Sequence, residues 1–188
     1  MEGRPLSETE SELVGRAIDG DVAAFEELVR IHQRMALRVA FLVLRDHTEA
    51  EDVAQDAFVK AYRHLGRFRR ESPFRTWLLR IVRNEAINRG RRRSRQQSLA
   101  LRLANEPVSG EAAPSPETAL VSDERSRTVL AAVEALPARF RAVVAIRYLL
   151  GLSEAETAAT LGIPPGTVKS RTARGLARLR NELEEIDA

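Results

Sequence analysis

The residues between Thr167 and Asn181 are rich in hydroxyl and guanidinium groups, and none of them is acidic. At 100° per residue, polar side chains share one helix face, Lys169 lies on its flank, and the opposite face is an apolar stripe. Arginine can bond to guanine edges and to phosphates, so the pattern predicts contact with the major groove of duplex DNA. The alternative is a solvated basic face on an ordinary helical hairpin. The polar face consists of Thr167, Ser170, Arg171, Arg174 and Arg178.

The residues before this segment have the pattern of a helix-turn-helix corner. Ser153 and Glu156 can form a capping box that begins a first helix. Gly162 provides a residue that tolerates the left-handed conformation at the helix end. Pro165 suits the first turn of a second helix. Because the basic face lies on the second helix of such a motif, DNA contact is favoured over a merely solvated face.

A second basic surface lies far from the first in the sequence. From Lys60 to Arg95 the only acidic residues are Glu71 and Glu85 among many arginines. Trp77 and two asparagines lie along the edge of the helix predicted there, where amides can read exposed bases and an aromatic ring can stack on an unpaired base. This surface therefore fits melted DNA. Core packing is the alternative role for Trp77.

An acidic group, Glu51, Asp52 and Asp56, follows His47 near the start of a predicted helix. Acidic side chains are stabilising at the positive end of a helix, and they can also face a partner protein. A metal-dependent nuclease is the competing interpretation, but catalytic metal sites usually gather ligands from several elements. We therefore expect no metal site and no cofactor.

The composition favours a helical protein with an aliphatic core. Lysine and arginine number 30 and aspartate and glutamate 27, so the net charge is only +3, and the placement of the charges carries the information. The chain has no cysteine, which excludes disulfides, thiolate metal sites and cysteine nucleophiles. It has no apolar run long enough to cross a bilayer and no signal-peptide core at its N-terminus, so we expect a soluble cytoplasmic protein.

The periodicity predicts an all-α fold of two small helical domains joined by a flexible linker, with the helix-turn-helix in the second domain. The predicted divisions are residues 1–93, a linker over 94–115 rich in Ser, Gly, Pro and Ala, and residues 116–188. In the first domain, helices are predicted after caps at Ser7, Asp21, Thr48 and Ser72. In the second, they are predicted over 116–136 and 137–150, before the helix-turn-helix. His32 lies on an apolar stripe and is expected in or beside the core.

Three stretches together resemble an extracytoplasmic-function sigma factor, one of the small two-domain bacterial transcription initiation factors. They are AEDVAQDAFVKAYRHLGRF, FRTWLLRIVRNEAINRGRRR and GLSEAETAATLGIPPGTVKSRTARGLARLR. The resemblance implies that one helix docks on the clamp coiled coil of RNA polymerase, that another surface captures a flipped base of the minus-ten element, and that the helix-turn-helix reads the minus-thirty-five element. The docking residues implied are Glu51, Asp52, Gln55, Asp56 and Phe58.

The resemblance also implies which residues contact each promoter element. The residues implied to read the minus-thirty-five element are those of the polar face together with Lys169 and Ala173. Thr172 and Ala173 depart from the residues usual in the family, which leaves open the DNA sequence that is recognised. The minus-ten set is Phe68, Arg69, Arg70, Ser72, Trp77, Arg80, Arg83, Asn84, Asn88, Arg91 and Arg92.

The partners implied by the resemblance are core RNA polymerase, through its clamp coiled coil and flap, promoter DNA, and an anti-sigma factor. Two other functions compete with a sigma factor. A free-standing helix-turn-helix regulator would bind a palindrome as a dimer, but it would leave the second basic surface unexplained. A nuclease would need the acidic group to hold a metal.

Overall fold

The computed structural model describes the backbone of residues 9–104 and 124–186, and the side chains of residues 9–97 and 128–184. All regular structure in these ranges is helical, which confirms the all-α prediction. A 3₁₀ turn, Leu65–Arg67, follows α3, and a π-helical turn, Ala145–Leu149, follows α6. The helices are α1 Glu10–Ile18, α2 Val22–Leu44, α3 His47–His64, α4 Phe74–Ala104, α5 Glu124–Ala135, α6 Ala138–Val144, α7 Glu154–Leu161 and α8 Pro165–Ile186.

The N-terminal lobe consists of α1 to α4. Helix α2 packs against α1, α3 and α4, and α3 packs against α4. Its core combines branched side chains such as Leu28 and Leu78 with completely buried alanines such as Ala36 and Ala57. The alanines allow the helix axes to approach closely, and the larger residues fill the space between them. This packing fixes α3 and α4, the two helices that carry most of the predicted site residues of the first domain.

The helix starts in the N-terminal lobe were predicted only in part. Asp21 caps α2 as predicted, by accepting a hydrogen bond from the Ala24 amide. Thr9 caps α1 through a capping box with Glu12, whereas the predicted cap, Ser7, lies outside the described residues. The predicted cap at Thr48 is wrong, because Asp46 caps α3 by accepting from the Glu49 amide. Aspartate and threonine are both good caps, so the sequence pattern alone could not decide between a helix start at Asp46 and one at Thr48.

Helix α4 is longer than predicted. It begins at Phe74, directly after the predicted Ser72-Pro73 start, and runs to Ala104 instead of ending at residue 93. Residues 94–104 of the predicted linker are therefore helical. They contain no proline or glycine and are mostly Arg, Gln, Leu and Ala, which are good helix formers. The rest of the predicted linker lies outside the described residues.

The C-terminal lobe contains α5 to α8 and confirms the helix-turn-helix. Ser153 and Glu156 form both hydrogen bonds of a capping box at the start of α7, and Gly162 ends that helix at φ +60°. Helix α8 then crosses α6 at close range. A Cβ placed on Gly175 would be 2.7 Å from Val144 Cγ2 and 3.4 Å from Phe140 Cβ. Such an approach is possible only at a residue without a side chain.

The two lobes are in contact. Helix α4 packs against α7, and one continuous apolar cluster includes Leu78 of α4 and Leu161 of α7. At the edge of this contact, Arg75 donates from Nε and Nη2 to Glu156 Oε1 at 2.9 and 2.5 Å. A second contact joins Arg45 Nη2 to Glu134 Oε2 at 3.7 Å. The lobes are therefore held by both apolar and ionic contacts, which the sequence pattern of each domain taken separately does not reveal.

Candidate nucleic-acid interface

The outer face of α8 is polar, basic and exposed. Val168 anchors the start of the helix with a completely buried side chain, and Leu176 and Leu179 pack on the second apolar cluster of the lobe. The Ser170 hydroxyl donates to the Thr167 carbonyl at 3.2 Å and keeps its acceptor lone pairs for a ligand. Thr167 and Arg171 are half-buried. The exposed members of the predicted set are Lys169, Ser170, Ala173, Arg174 and Arg178.

Some side chains of α8 are tied to the lobe itself. The Arg178 guanidinium lies over the Phe140 ring, 5.4 Å from its centroid. Such a contact orients the arginine without neutralising it. Thr172 lies on the side of α8 that faces the lobe, and its Oγ1 is buried without a hydrogen-bond partner. Thr172 is therefore a packing residue in this structure.

Helix α4 presents a second basic face. Arg83 is half-buried, its Nη1 donates to Asn84 Oδ1 at 3.2 Å, and the same atom lies 3.4 Å from the Cβ position of Gly162 in the other lobe. Burial, together with the nearby charge of Arg91, lowers the pKa of Arg83. Thr76 lies one turn before Arg80, but it is only 3% exposed and does not belong to this face. The exposed members of the predicted minus-ten set on α4 are Arg80, Asn84, Asn88, Arg91 and Arg92.

Three aromatic rings join the loop before α4 to the helix. The Phe68 ring lies 5.0 Å from Trp77 and 5.9 Å from Phe74, measured between centroids. Trp77 is half-buried against the core cluster, so it packs on the core while keeping part of its surface exposed. Arg69 and Arg70 are exposed in the same loop, and Ser72 is half-buried. The structure thus places aromatic and cationic side chains together beside α4.

Helix α3 carries an exposed acidic face. Asp52, Gln55 and Asp56 are exposed at helical spacing, as is Glu51. Phe58 requires a correction, because it is only 8% exposed and belongs to the core. Its neighbour Val59, which is 50% exposed, continues the face instead. The spacing 52, 55, 56, 59 follows the helical repeat and identifies Val59 from the sequence alone.

The acidic side chains of α3 have cationic neighbours. His47 Nδ1 lies 3.2 Å from Glu51 Oε1. Arg89 of α4 lies 2.8 Å from Glu49 and 3.0 Å from Asp52. Within the described ranges, no group of three or more His, Asp or Glu side chains is placed to hold a metal ion. These contacts fasten α3 to α4.

His32 is 4% exposed, and its Nε2 lies 3.6 Å from Glu10 Oε2. Burial lowers the pKa of His32, while Glu10 raises it and Arg75 lowers it further. The ring also lies 5.5 Å from Phe74. This placement confirms the prediction of a histidine in the core.

Comparisons with known proteins agree with this geometry. The family model for sigma-70 region 2 matches residues 28–96, and that for sigma-70 region 4 matches residues 126–179. The chain is 38% identical to RNA polymerase sigma-H factor of Pseudomonas aeruginosa, over 95% of this chain and 96% of the relative. It is 35% identical to the ECF RNA polymerase sigma factor SigW of Bacillus subtilis, over 89% and 92%. The chain belongs to the extracytoplasmic-function (ECF) sigma factors.

Two solved structures share the fold of this sigma factor. CnrH, solved in complex with the cytosolic domain of CnrY, matches with a TM-score of 0.66 and 27% identity, over 95% of this chain and 99% of CnrH. The sigma factor RpoE of Bartonella quintana, solved with the anti-sigma factor NepR, matches with a TM-score of 0.71 and 26% identity, over 87% and 98%. The similarity spans both lobes.

Each of the two family matches covers a different group of the surfaces described above. The region 2 match includes the acidic face of α3, the aromatic loop and the basic face of α4, and the region 4 match includes the exposed residues of α8. A sigma factor binds core RNA polymerase and directs it to promoter DNA, and this is the activity of the chain. In residues 9–104 and 124–186, no helix has the length and apolarity to span a membrane.

Proposed function

We propose that the two lobes of this ECF sigma factor divide promoter recognition between a duplex element and a melted one. Helix α8 reads the minus-thirty-five element as duplex DNA through Arg174 and its exposed neighbours. The basic face of α4 and the loop before it hold the minus-ten strand after it opens. The observation that carries the proposal is the presence of two separate exposed basic faces, one of which lies beside aromatic rings and asparagines.

The chemistry of the two faces supports this division. Arginine in a recognition helix can form bidentate bonds with guanine in the major groove of a duplex. Asn84 and Asn88 are exposed one turn apart on α4 and carry both donors and acceptors for an unstacked base. Trp77 and Phe68 supply rings on which such a base can stack. Arg80, Arg91 and Arg92 are exposed and available for backbone phosphates.

The acidic face of α3 is the proposed docking surface for core RNA polymerase. Asp52, Gln55, Asp56 and Val59 give it carboxylates around an exposed apolar side chain. Such a combination suits a basic partner surface with an apolar centre. The clamp coiled coil is the proposed partner, and the C-terminal lobe would engage the flap.

The proposed division into domains is residues 1–93, 94–115 and 116–188. The limits of the two family matches, 28–96 and 126–179, support it, whereas the continuation of α4 to Ala104 extends the first helical unit into the linker. The proposed role is binding without covalent chemistry, in the cytoplasm. Because CnrH and RpoE were solved with CnrY and an anti-sigma factor, we also propose that an anti-sigma factor holds this chain.

A single pair of assays tests the proposed function. The purified chain should retain core RNA polymerase in a pull-down, and the resulting complex should bind promoter DNA much more tightly than the free chain does. A free-standing regulator would instead bind DNA as a dimer without polymerase. Tight, palindrome-dependent binding by the free chain and no retention of polymerase would contradict the proposal.

A further inference from the structure

The last turns of α4 project beyond the N-terminal lobe. Ala86 is completely buried, whereas Arg91 and Arg95 are exposed. Arg93 Nη1 lies 3.3 Å from Asp46 Oδ2 and ties the helix to the start of α3. Residues 94–104, which we call the projecting end, continue the same helix. At 1.5 Å per residue they extend it by about 16 Å.

The projecting end is positively charged and has no counter-charge of its own. No acidic residue follows Glu85 in α4, and no aromatic residue follows Trp77. Arginines three or four positions apart on a helix repel each other, and without acidic residues no ion pair within this segment offsets their charge. The chemistry of α4 therefore changes along its length. Aromatic rings lie at its start, and guanidinium and amide groups lie at its end.

The outward side of the projecting end continues the basic face of α4. Asn84, Asn88, Arg91 and Arg95 are exposed, and they follow one another at steps of four, three and four residues. This spacing places them in a single stripe along the helix. Arg93 lies on the opposite side, against the lobe. DNA that follows the stripe past Asn88 therefore reaches the projecting end.

We propose that the projecting end holds the paired DNA next to the opened minus-ten segment, as a third promoter contact. The inference rests on the proposed function, because it needs the strand that α4 holds. Single strands are held by cations together with aromatic rings, and the projecting end has no rings. Paired DNA is held mainly through its phosphates, which arginine and glutamine side chains both contact.

Arg95 is the residue that carries the proposed contact, and exposed Gln96 adds an uncharged donor beside it. A helix segment of about 16 Å lies along roughly five base pairs of duplex, at 3.4 Å per pair. The contact is to the backbone, so it is independent of base sequence.

The experiment uses the complete chain bound to core RNA polymerase and forked promoter DNA that lacks the minus-thirty-five element. The single-stranded arm is kept constant, and the paired arm is lengthened one base pair at a time. The affinity of the wild-type complex should rise over about the first five base pairs and then level off. Arg95→Ala should lose most of this rise and should reduce the slope of log affinity against log salt by about one. On the shortest paired arm it should bind as the wild type does.

Arg34→Ala is the matched control, because Arg34 is exposed on α2 and its substitution removes the same charge. Alanine is the best helix former, so both variants should fold. The affinity and salt slope of Arg34→Ala should equal those of the wild type.

If Arg95→Ala matches Arg34→Ala on every fork, or weakens binding to short and long forks alike, the duplex contact is overturned and the proposed function stands. If Arg95→Ala weakens the binding of core polymerase in the absence of DNA, the projecting end contacts the polymerase and the duplex contact is again overturned. If the wild-type complex binds no fork of any length, the proposed function fails with it.

Discussion

Arg174 is an exposed arginine at the centre of the polar face of α8. We expect Arg174→Ala to weaken transcription from cognate promoters by about 5- to 100-fold, since one base contact contributes about 1–3 kcal/mol. Run-off transcription with reconstituted polymerase measures this loss. Arg180→Ala removes the same charge from an exposed position outside that face and is the control. Equal activity of both variants and the wild type would exclude Arg174 from promoter recognition.

At the scale of residues, the sequence predicted features that depend on near neighbours. The capping box of Ser153 and Glu156 and the left-handed Gly162 were predicted correctly, because each depends on groups within a few residues. Phe58 was placed on the docking face by resemblance, although the helical repeat places Val59 there. Whether Phe58 is buried or exposed depends on which side of α3 packs against α2 and α4, and tertiary packing decides this.

At the scale of elements, the α3 face gives a test of the docking proposal. We expect Val59→Ala and Asp56→Ala each to weaken binding to core polymerase by about five-fold or more, because truncating a central contact typically costs over about 1 kcal/mol. Fluorescence titration of labelled chain with core polymerase measures the affinity.

Ile31→Ala is the matched apolar control for the α3 face, because Ile31 is 47% exposed on α2. Both apolar substitutions should leave stability within about 0.5 kcal/mol of the wild type. Loss of affinity in Ile31→Ala, or none in the α3 variants, would move the docking surface away from α3.

The crossing of α6 and α8 depends on Gly175. We expect Gly175→Ala to lower the free energy of unfolding by about 1–3 kcal/mol, because the new methyl group would overlap Val144 and force the helices apart. Gly166→Ala in the same helix meets no atom within 4 Å and should be neutral or stabilising by up to about 1 kcal/mol. Urea denaturation compares the two. A Gly175→Ala protein as stable as Gly166→Ala would show that the crossing tolerates a wider separation.

The sequence predicted the elements better than their ends. Apolar periodicity identified the long helices, since it reflects the buried face of each one. The extension of α4 to Ala104 was missed because the residues after position 93 have a polar, linker-like composition even though they favour helix. The polar composition of these residues indicates that they have no buried face, but a helix can continue without a buried face.

At the scale of the whole molecule, the Arg75–Glu156 pair joins the lobes. Partial burial alone would raise the pKa of Glu156, but hydrogen bonds from Ser153 and Arg75 lower it to about 2. A carboxyl group with a lowered pKa stabilises the fold above its unfolded pKa near 4.5, and this stabilisation is lost as the pH falls towards 2. The shift corresponds to about 3 kcal/mol at neutral pH.

We expect Glu156→Gln to be less stable than the wild type by up to about 3 kcal/mol above pH 5, and the difference to vanish as the pH approaches 2. Urea denaturation at a series of pH values provides the curve, and Glu154→Gln, in the same turn of α7, is the control. Glutamine retains the capping box, so the comparison isolates the charge. A difference that stays constant down to pH 2 would show that the ionised Glu156 carboxylate does not stabilise the folded chain.

The packing of the lobes could not be predicted from the sequence. Residues 75 and 156 are far apart in the chain. The sequence explains Arg75 as one of many arginines in its segment and Glu156 as a capping residue, so neither residue indicates the other as a partner. Only the three-dimensional contact of α4 with α7 brings them together. The same contact explains why Arg83, a member of the predicted minus-ten set, is half-buried in this structure.

The central claim is that this chain gives core RNA polymerase its choice of promoter. The most direct measurement maps the 5′ ends of transcripts made from a library of genomic fragments by core polymerase with and without the chain. We expect new, discrete start sites that share a two-part upstream element and give fewer transcripts with Arg174→Ala. Start sites identical to those of core polymerase alone would contradict it.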